Sequence, residues 1–265
     1  MGHWYTKEGE TCYEATLRDA RKHKLYPSVT TILSVIDGGS WLAEWKVNQT
    51  IIKAKEVFQE MTEAGRPFAE VFSKDTETLK KWIKQKLRTD RDNILELGTG
   101  VHRLCEAYLS NDKNIFELEK TKSNAFEVYL KSEVEEILKK YKKKEDGYAE
   151  EVVVSKLGYA GRVDYFWLDD IVHIRDFKTQ NIKKWKPNLQ TGCFSQLVAY
   201  GQAVYDKEFF EPEKIDVGSI VISTNKETQG SWEKNWDADI KIQAWRIFVN
   251  AFNLWKTINK YDPLV

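Results

Sequence analysis

Val172-His173-Ile174-Arg175-Asp176-Phe177-Lys178 decides how this chain is read. Side chains of a strand alternate between faces, so Val172, Ile174, Asp176 and Lys178 share one side, which begins apolar and ends charged. An ionised carboxylate at the core-facing end of a strand is costly unless a cation or hydrogen bonds compensate it. Lys178 stands two residues on and on the same face. Taken alone, Asp-x-Lys is most simply a salt bridge that caps a strand.

The flanking segments change that reading. Tyr159 to Leu168 carries Gly161-Arg162-Val163-Asp164 and alternates as a strand. Asp169-Asp170 supplies a turn into Ile171 to Lys178, and Glu151-Val152-Val153-Val154 precedes the turn at Gly158. Three strands in this order predict a meander, and pairing the last two brings Asp164 towards Asp176. Two carboxylates brought close repel, and a hard divalent cation is the usual resolution. The pair therefore predicts Mg2+ or Mn2+, which would polarise a phosphodiester while Lys178 positions the nucleophile or stabilises developing charge.

His102 lies on a helix expected over about 92–110, beside the apolar stripe Ile94, Leu97, Val101, Leu104, Cys105 and Tyr108. A lone histidine there is more often a satisfied boundary residue. Gly98 and Gly100 replace the alanine a helix prefers, which would let the backbone approach another element and make His102 a metal ligand. Glu106, one turn on, is either an auxiliary acid or a solvated one. After the strands, a helix over about 193–205 presents Gln196 and Tyr200 on one face, placed to bind a phosphate or a base edge or simply to sit at an amphipathic boundary. The loop Lys183-Lys184-Trp185-Lys186 mixes charge with an aromatic ring and suits a nucleic-acid strand. A strand over 217–223 and a tryptophan-rich helix over about 237–260 complete the chain. The first ninety residues read as helical, with Ser28 the N-cap of Val29 to Leu33.

Composition sets the outer bounds. The 265 residues carry 41 basic and 41 acidic side chains and no net charge, so affinity for a polyanion must come from local patches. Cys12, Cys105 and Cys193 are dispersed, which predicts neither a disulfide framework nor a cysteine metal site. With no apolar run of membrane length and no signal-peptide pattern at the start, a cytoplasmic location is expected. The fold class is α/β, with a mixed central sheet flanked by helices.

Taken together, Gly98-Thr99-Gly100-Val101-His102-Arg103-Leu104-Cys105-Glu106, Gly161-Arg162-Val163-Asp164, Asp176-Phe177-Lys178-Thr179 and Gln196-Leu197-Val198-Ala199-Tyr200 resemble the PD-(D/E)XK nuclease superfamily in its RecB/Cas4-like exonuclease branch. Tyr26-Pro27-Ser28-Val29-Thr30-Thr31-Ile32-Leu33 and Leu157-Gly158-Tyr159-Ala160-Gly161 also look like segments of the mitochondrial genome maintenance exonuclease and its phage and bacterial relatives. The resemblance covers roughly 26–205. It implies a nuclease core over 92–265, a single integrated domain, with a helical N-terminal region over 1–91 roofing the site. It further implies His102, Asp164, Asp176 and the Phe177 carbonyl as metal ligands and Lys178 as the catalytic lysine. Glu151 would be an auxiliary acid near the metals. Gln196, Tyr200 and Ser28 would contact DNA. The implied activity is a Mg- or Mn-dependent exonuclease on single-stranded DNA, serving recombination, repair or replication in a bacterial or phage-infected cell. An endonuclease of the same fold, or a non-catalytic nucleic-acid-binding module, is the alternative. The branch often carries an iron–sulfur cluster on four cysteines; three dispersed cysteines predict none here.

Overall fold

A computed structural model describes residues 3–36, 40–64, 81, 83–85, 98–110, 125–139, 141, 147–182, 187, 189, 191–225, 227–228 and 230–265. The chain divides into two compact units. One joins Met1–Ile36 to Gly100–Val265; the other is Asp37–Thr99.

The N-terminal segment of the first unit is not wholly helical. It holds β1 (Trp4–Tyr5), β2 (Thr11–Cys12), α1 (Leu17–His23), β3 (Tyr26–Pro27) and α2 (Val29–Leu33), with the strands ordered β2-β1-β3. Strands of two residues are too short to show alternation, so they leave no periodic signal. α1 starts with a capping box, Thr16 and Asp19 each accepting from the other's backbone. Ser28 caps α2 as expected, accepting the Thr31 N–H at 3.0 Å.

Helix α4 follows at 98–109, and α5 (Ala125–Leu138) leads to β4 (Gly147–Ser155), β5 (Tyr159–Leu168) and β6 (Val172–Gln180). Then come α6 (Thr191–Tyr205), β7 (Ile215–Ser223), β8 (Ser231–Asn235) and α7 (Ala238–Asn259). The five-stranded sheet runs β4-β5-β6-β7-β8. β4 to β6 form the expected antiparallel meander; β7 joins β6 in parallel through α6, and β8 returns antiparallel. The protein is thus α/β, with a mixed sheet flanked by helices.

β7 is nearly continuously apolar and buried, the pattern of a strand covered on both faces. Each of Ile215, Ile220 and Ile222, fully buried, contributes about 1.5–3 kcal/mol through burial. α6 lies close on the sheet because Gly201 has no side chain: a Cβ there would strike Ile215 and touch Ile174. β8, Ser-Trp-Glu-Lys-Asn, is a polar edge strand without apolar alternation, and the sequence reading passes over it.

The second unit contains α3 (Ser40–Glu63) and further helical residues at 81, 83–85 and 98–99. Residues 65–80 and 86–97, where the sequence places other helical segments, lie outside the described residues. Among the described residues, no helix is long and apolar enough to cross a membrane.

Candidate functional site

The site forms where the meander departs from regular geometry. β5 and β6 pair from Leu168↔Val172 to Tyr165↔Arg175 and then separate. One step further Asp164 and Asp176 stand opposite each other. There the Asp164 carboxylate replaces the missing main-chain partner: Oδ2 accepts the Phe177 N–H at 2.7 Å.

The pleat also inverts at this level. Tyr159 and Gly161 face α6, since the Tyr159 hydroxyl donates to the Ala199 carbonyl and a Cβ on Gly161 would collide with the Tyr200 ring. Five residues beyond Gly161, Phe166 faces the same way, opposite Ile174 under α6. An odd separation reaching one face requires a break in alternation. β4 breaks at the matching position: Glu150 adopts φ +54°, between Ala149↔Tyr165 and Glu151↔Val163. The coincident breaks free the Glu150 and Asp164 carboxylates from regular cross-strand packing.

His102 on α4 meets them. Its Nδ1 lies 3.6 Å from Asp164 Oδ2 and 3.8 Å from Glu150 Oε1. The ring stands edge-on to Phe177, centroids 6.4 Å apart. One ligand atom each from His102, Glu150 and Asp164 falls within 4.8 Å of the others. On the next strand Lys178 Nζ donates to Asp176 Oδ1 at 2.6 Å. The other oxygen of Asp176, Oδ2, is buried with no hydrogen-bond partner among the described residues, a costly state for a carboxylate.

The electrostatics follow from this crowding. Burial, with the charge of Asp176 added, pushes the Asp164 carboxyl up to about 7, against the opposing pull of His102, Lys178 and the Phe177 N–H. Burial drives Lys178 towards neutrality, but Asp176 and Asp164 outweigh it and hold the ammonium above its ordinary range. Burial likewise opposes protonation of His102, and Glu150 and Asp164 overcome it, raising its pKa. Buried Cys105 feels Asp164 and Glu150 and is held as the thiol.

The acid beside His102 is Glu150. Glu151, the acid singled out from the sequence, has an exposed side chain, as does Glu106. Gln196 and Tyr200 do share a face of α6, and Gln196 Nε2 donates to the Tyr200 hydroxyl at 3.1 Å. Ser28 lies beside β5, in a parallel bridge with Ala160. Lys183, Lys184, Trp185 and Lys186 lie outside the described residues. Glu150 eludes sequence reasoning because left-handed backbone at a glutamate has no sequence signature. The meander register was the only available clue, since it sets residue 150 against Asp164.

A histidine nitrogen with several carboxylate oxygens is a donor set suited to Mg2+ or Mn2+, and the partnerless oxygen of Asp176 is where a further cation contact would relieve a cost. The residues present therefore fit the metal expected from the sequence. No protein-family model matches the chain. No curated protein matches it. Solved structures that match include one titled "Crystal structure of SSO0001", 15% identical over 57% of this chain and 73% of that one, with a TM-score of 0.25. A likeness at that score carries no argument about fold or function.

Proposed function

We propose that this protein is a metal-dependent deoxyribonuclease of the PD-(D/E)XK type, acting as an exonuclease on single-stranded DNA in recombination, repair or replication. One observation carries the reading. His102, Glu150 and Asp164 converge within ligand distance of one another, beside an Asp176–Lys178 pair whose second carboxylate oxygen is buried without a partner among the described residues. Among the described residues three carboxylates, of Glu150, Asp164 and Asp176, meet one ammonium and one imidazole, and a divalent ion would supply the remaining positive charge. Asp164, Asp176, His102 and Glu150 would hold Mg2+ or Mn2+, with the Phe177 carbonyl as a further donor. The ion would polarise a phosphoryl oxygen and acidify a water.

The chain's own groups do the rest. Lys178 is kept as an ammonium by Asp176 and Asp164, so its role is to stabilise charge on the phosphoryl oxygens and not to take a proton from the attacking water. Asp176 fixes the direction of that ammonium through the 2.6 Å bond. The Phe177 N–H fixes the Asp164 carboxylate. Gln196 Nε2 donates to the buried Tyr200 hydroxyl on the adjoining helix, so in this reading the half-buried Gln196 would meet the substrate strand and Tyr200 would hold it in position.

The reading is tested by digesting single- and double-stranded oligonucleotides labelled separately at each end, in Mn2+, Mg2+ and EDTA. Stepwise loss of label from one end of single-stranded DNA, abolished by EDTA and by Asp176→Ala, is expected. Full activity in Asp176→Ala would overturn it.

A further inference from the structure

The first unit opens a cleft of about 270 Å³ between its N-terminal segment and β5, the strand that carries Asp164. Its lining includes Tyr5, Tyr13, Ser28, Thr30, Arg162 and Tyr200. Three features separate it from an ordinary surface hollow. Tyr5 forms a rigid floor, 6% exposed and packed with Tyr26 and Ala160. Tyr13 stands at the rim, 67% exposed, an aromatic surface left in water that would gain by being covered. Arg162 is exposed, and its guanidinium makes one hydrogen bond, to the Glu150 carbonyl at 3.4 Å; among the described residues no carboxylate pairs with it.

Position adds the fourth feature. Arg162 precedes Asp164 by two residues on β5, and the Tyr200 ring of α6 lies against the neighbouring Gly161. A guanidinium without a carboxylate partner among the described residues, an uncovered aromatic face and the hydroxyls of Ser28 and Thr30 thus line one cleft, and two residues of strand, roughly 7 Å, separate Arg162 from Asp164. Guanidinium groups take phosphate, and aromatic faces take bases. The cleft is smaller than most pockets for drug-sized ligands, which suits one nucleotide and not a continuous track.

We propose that this cleft is a single-nucleotide subsite, holding the nucleotide next to the scissile phosphate of a DNA strand, with Arg162 on a phosphate and the base against Tyr13. The proposal rests on the hydrolytic reading for its choice of ligand, but its test does not need turnover.

The full-length chain is titrated with fluorescein-labelled d(T)6 in EDTA, followed by anisotropy. Tyr13→Ala is expected to raise Kd about five- to a hundredfold, the range that loss of a stacked base gives. Tyr13→Phe keeps the ring and the affinity. Arg162→Ala weakens binding and flattens the dependence of log K on log salt by about 0.7, the loss of one phosphate contact on a single strand. Lys214→Ala, which removes one exposed charge elsewhere, leaves both unchanged. Tyr13 and Arg162 are exposed, so unchanged melting temperatures are expected to verify folding. No binding by the wild type, a Kd in Tyr13→Ala and Arg162→Ala equal to that of the wild type, or a loss in Tyr13→Phe as large as in Tyr13→Ala overturns the subsite. The two readings fail separately. Binding through Tyr13 and Arg162 without any cleavage in Mn2+ leaves the subsite and overturns the nuclease. Cleavage with Kd unchanged in the variants does the reverse.

Discussion

Asp164 accepts the main-chain N–H of Phe177 at 2.7 Å, so a carboxylate occupies the place that a strand carbonyl would fill one residue earlier in the ladder. This bond pins a buried acid directly opposite Asp176, where its ionisation is opposed by burial and by a like charge. A buried acid held opposite a like charge is costly, and the cost is measurable without knowing what the site binds.

The first prediction concerns that cost. In the metal-free protein the Asp164 carboxyl is raised to about 7 from an ordinary 3.8. A group whose folded pKa is raised binds its proton more tightly when folded. Its stabilising contribution is complete below the unfolded pKa, near 4, and is lost as pH rises through about 7. Ionised at higher pH, it costs the folded chain up to roughly 4 kcal/mol. Asp164→Asn keeps the Phe177 bond and removes the charge. The variant is expected to melt above the wild type in EDTA, by a margin that grows between pH 4 and 7 and then levels off. A margin constant over that range, by calorimetry of both proteins, contradicts the burial and charge argument.

Glu150 and Glu151 give a paired test. Only Glu150 falls within ligand distance of His102 and Asp164, while Glu151 points to solvent. Glu150→Gln is expected to weaken Mn2+ binding at least about tenfold, comparable with the loss of other groups that tune a metal site. Glu151→Gln should bind as the wild type does. Isothermal titration with Mn2+ decides between them, and equal losses would show that the left-handed turn at Glu150 does not select the ligand.

That contrast also marks how far the sequence could be read. β5 was legible from Tyr159 to Leu168 because Gly158 and Asp169-Asp170 bracket an apolar-rich run, and the observed strand has those ends. The Asp164–Asp176 opposition followed from the short turn, where Asp169 accepts the Ile171 N–H and fixes the register. Ser28 was legible as a cap since capping depends on local spacing alone. Glu150 was not, because its placement depends on coincident breaks in two strands, a tertiary event without a local code. β8 was missed for a simpler reason: an edge strand paired on one side needs no apolar alternation.

Gly161 tests the contact between β5 and α6. A Cβ there would collide with the Tyr200 ring, which is buried and bonded through its hydroxyl to Gln196. Gly161→Ala is expected to cost about 1–3 kcal/mol, the usual range for overpacking, and so lower the melting temperature by several degrees. Because the clash is with one side chain, Gly161→Ala combined with Tyr200→Ala should be less destabilised than the two single losses added together. Additive losses in urea unfolding would place the strain elsewhere.

Lys178 supports two different quantities, and they can be separated. Among the described residues, its ammonium is the side-chain partner of the buried Asp176 carboxylate, through Oδ1. Lys178→Met removes that partner and leaves both Asp176 oxygens uncompensated, which costs about 1–3 kcal/mol given that the lysine is partly exposed. Adding Asp176→Asn removes the stranded charge and should restore much of the stability in EDTA. Hydrolysis should not return with it. The loss of one donor aimed at developing charge lowers turnover by roughly 10²–10³, and in the proposed reading Asp176→Asn also takes away a metal donor. Stability recovered without activity, measured by urea unfolding beside oligonucleotide digestion in Mn2+, assigns the pair a chemical role. Recovery of both in the double variant would reduce Asp176 and Lys178 to the simple salt bridge that the bare tripeptide suggests.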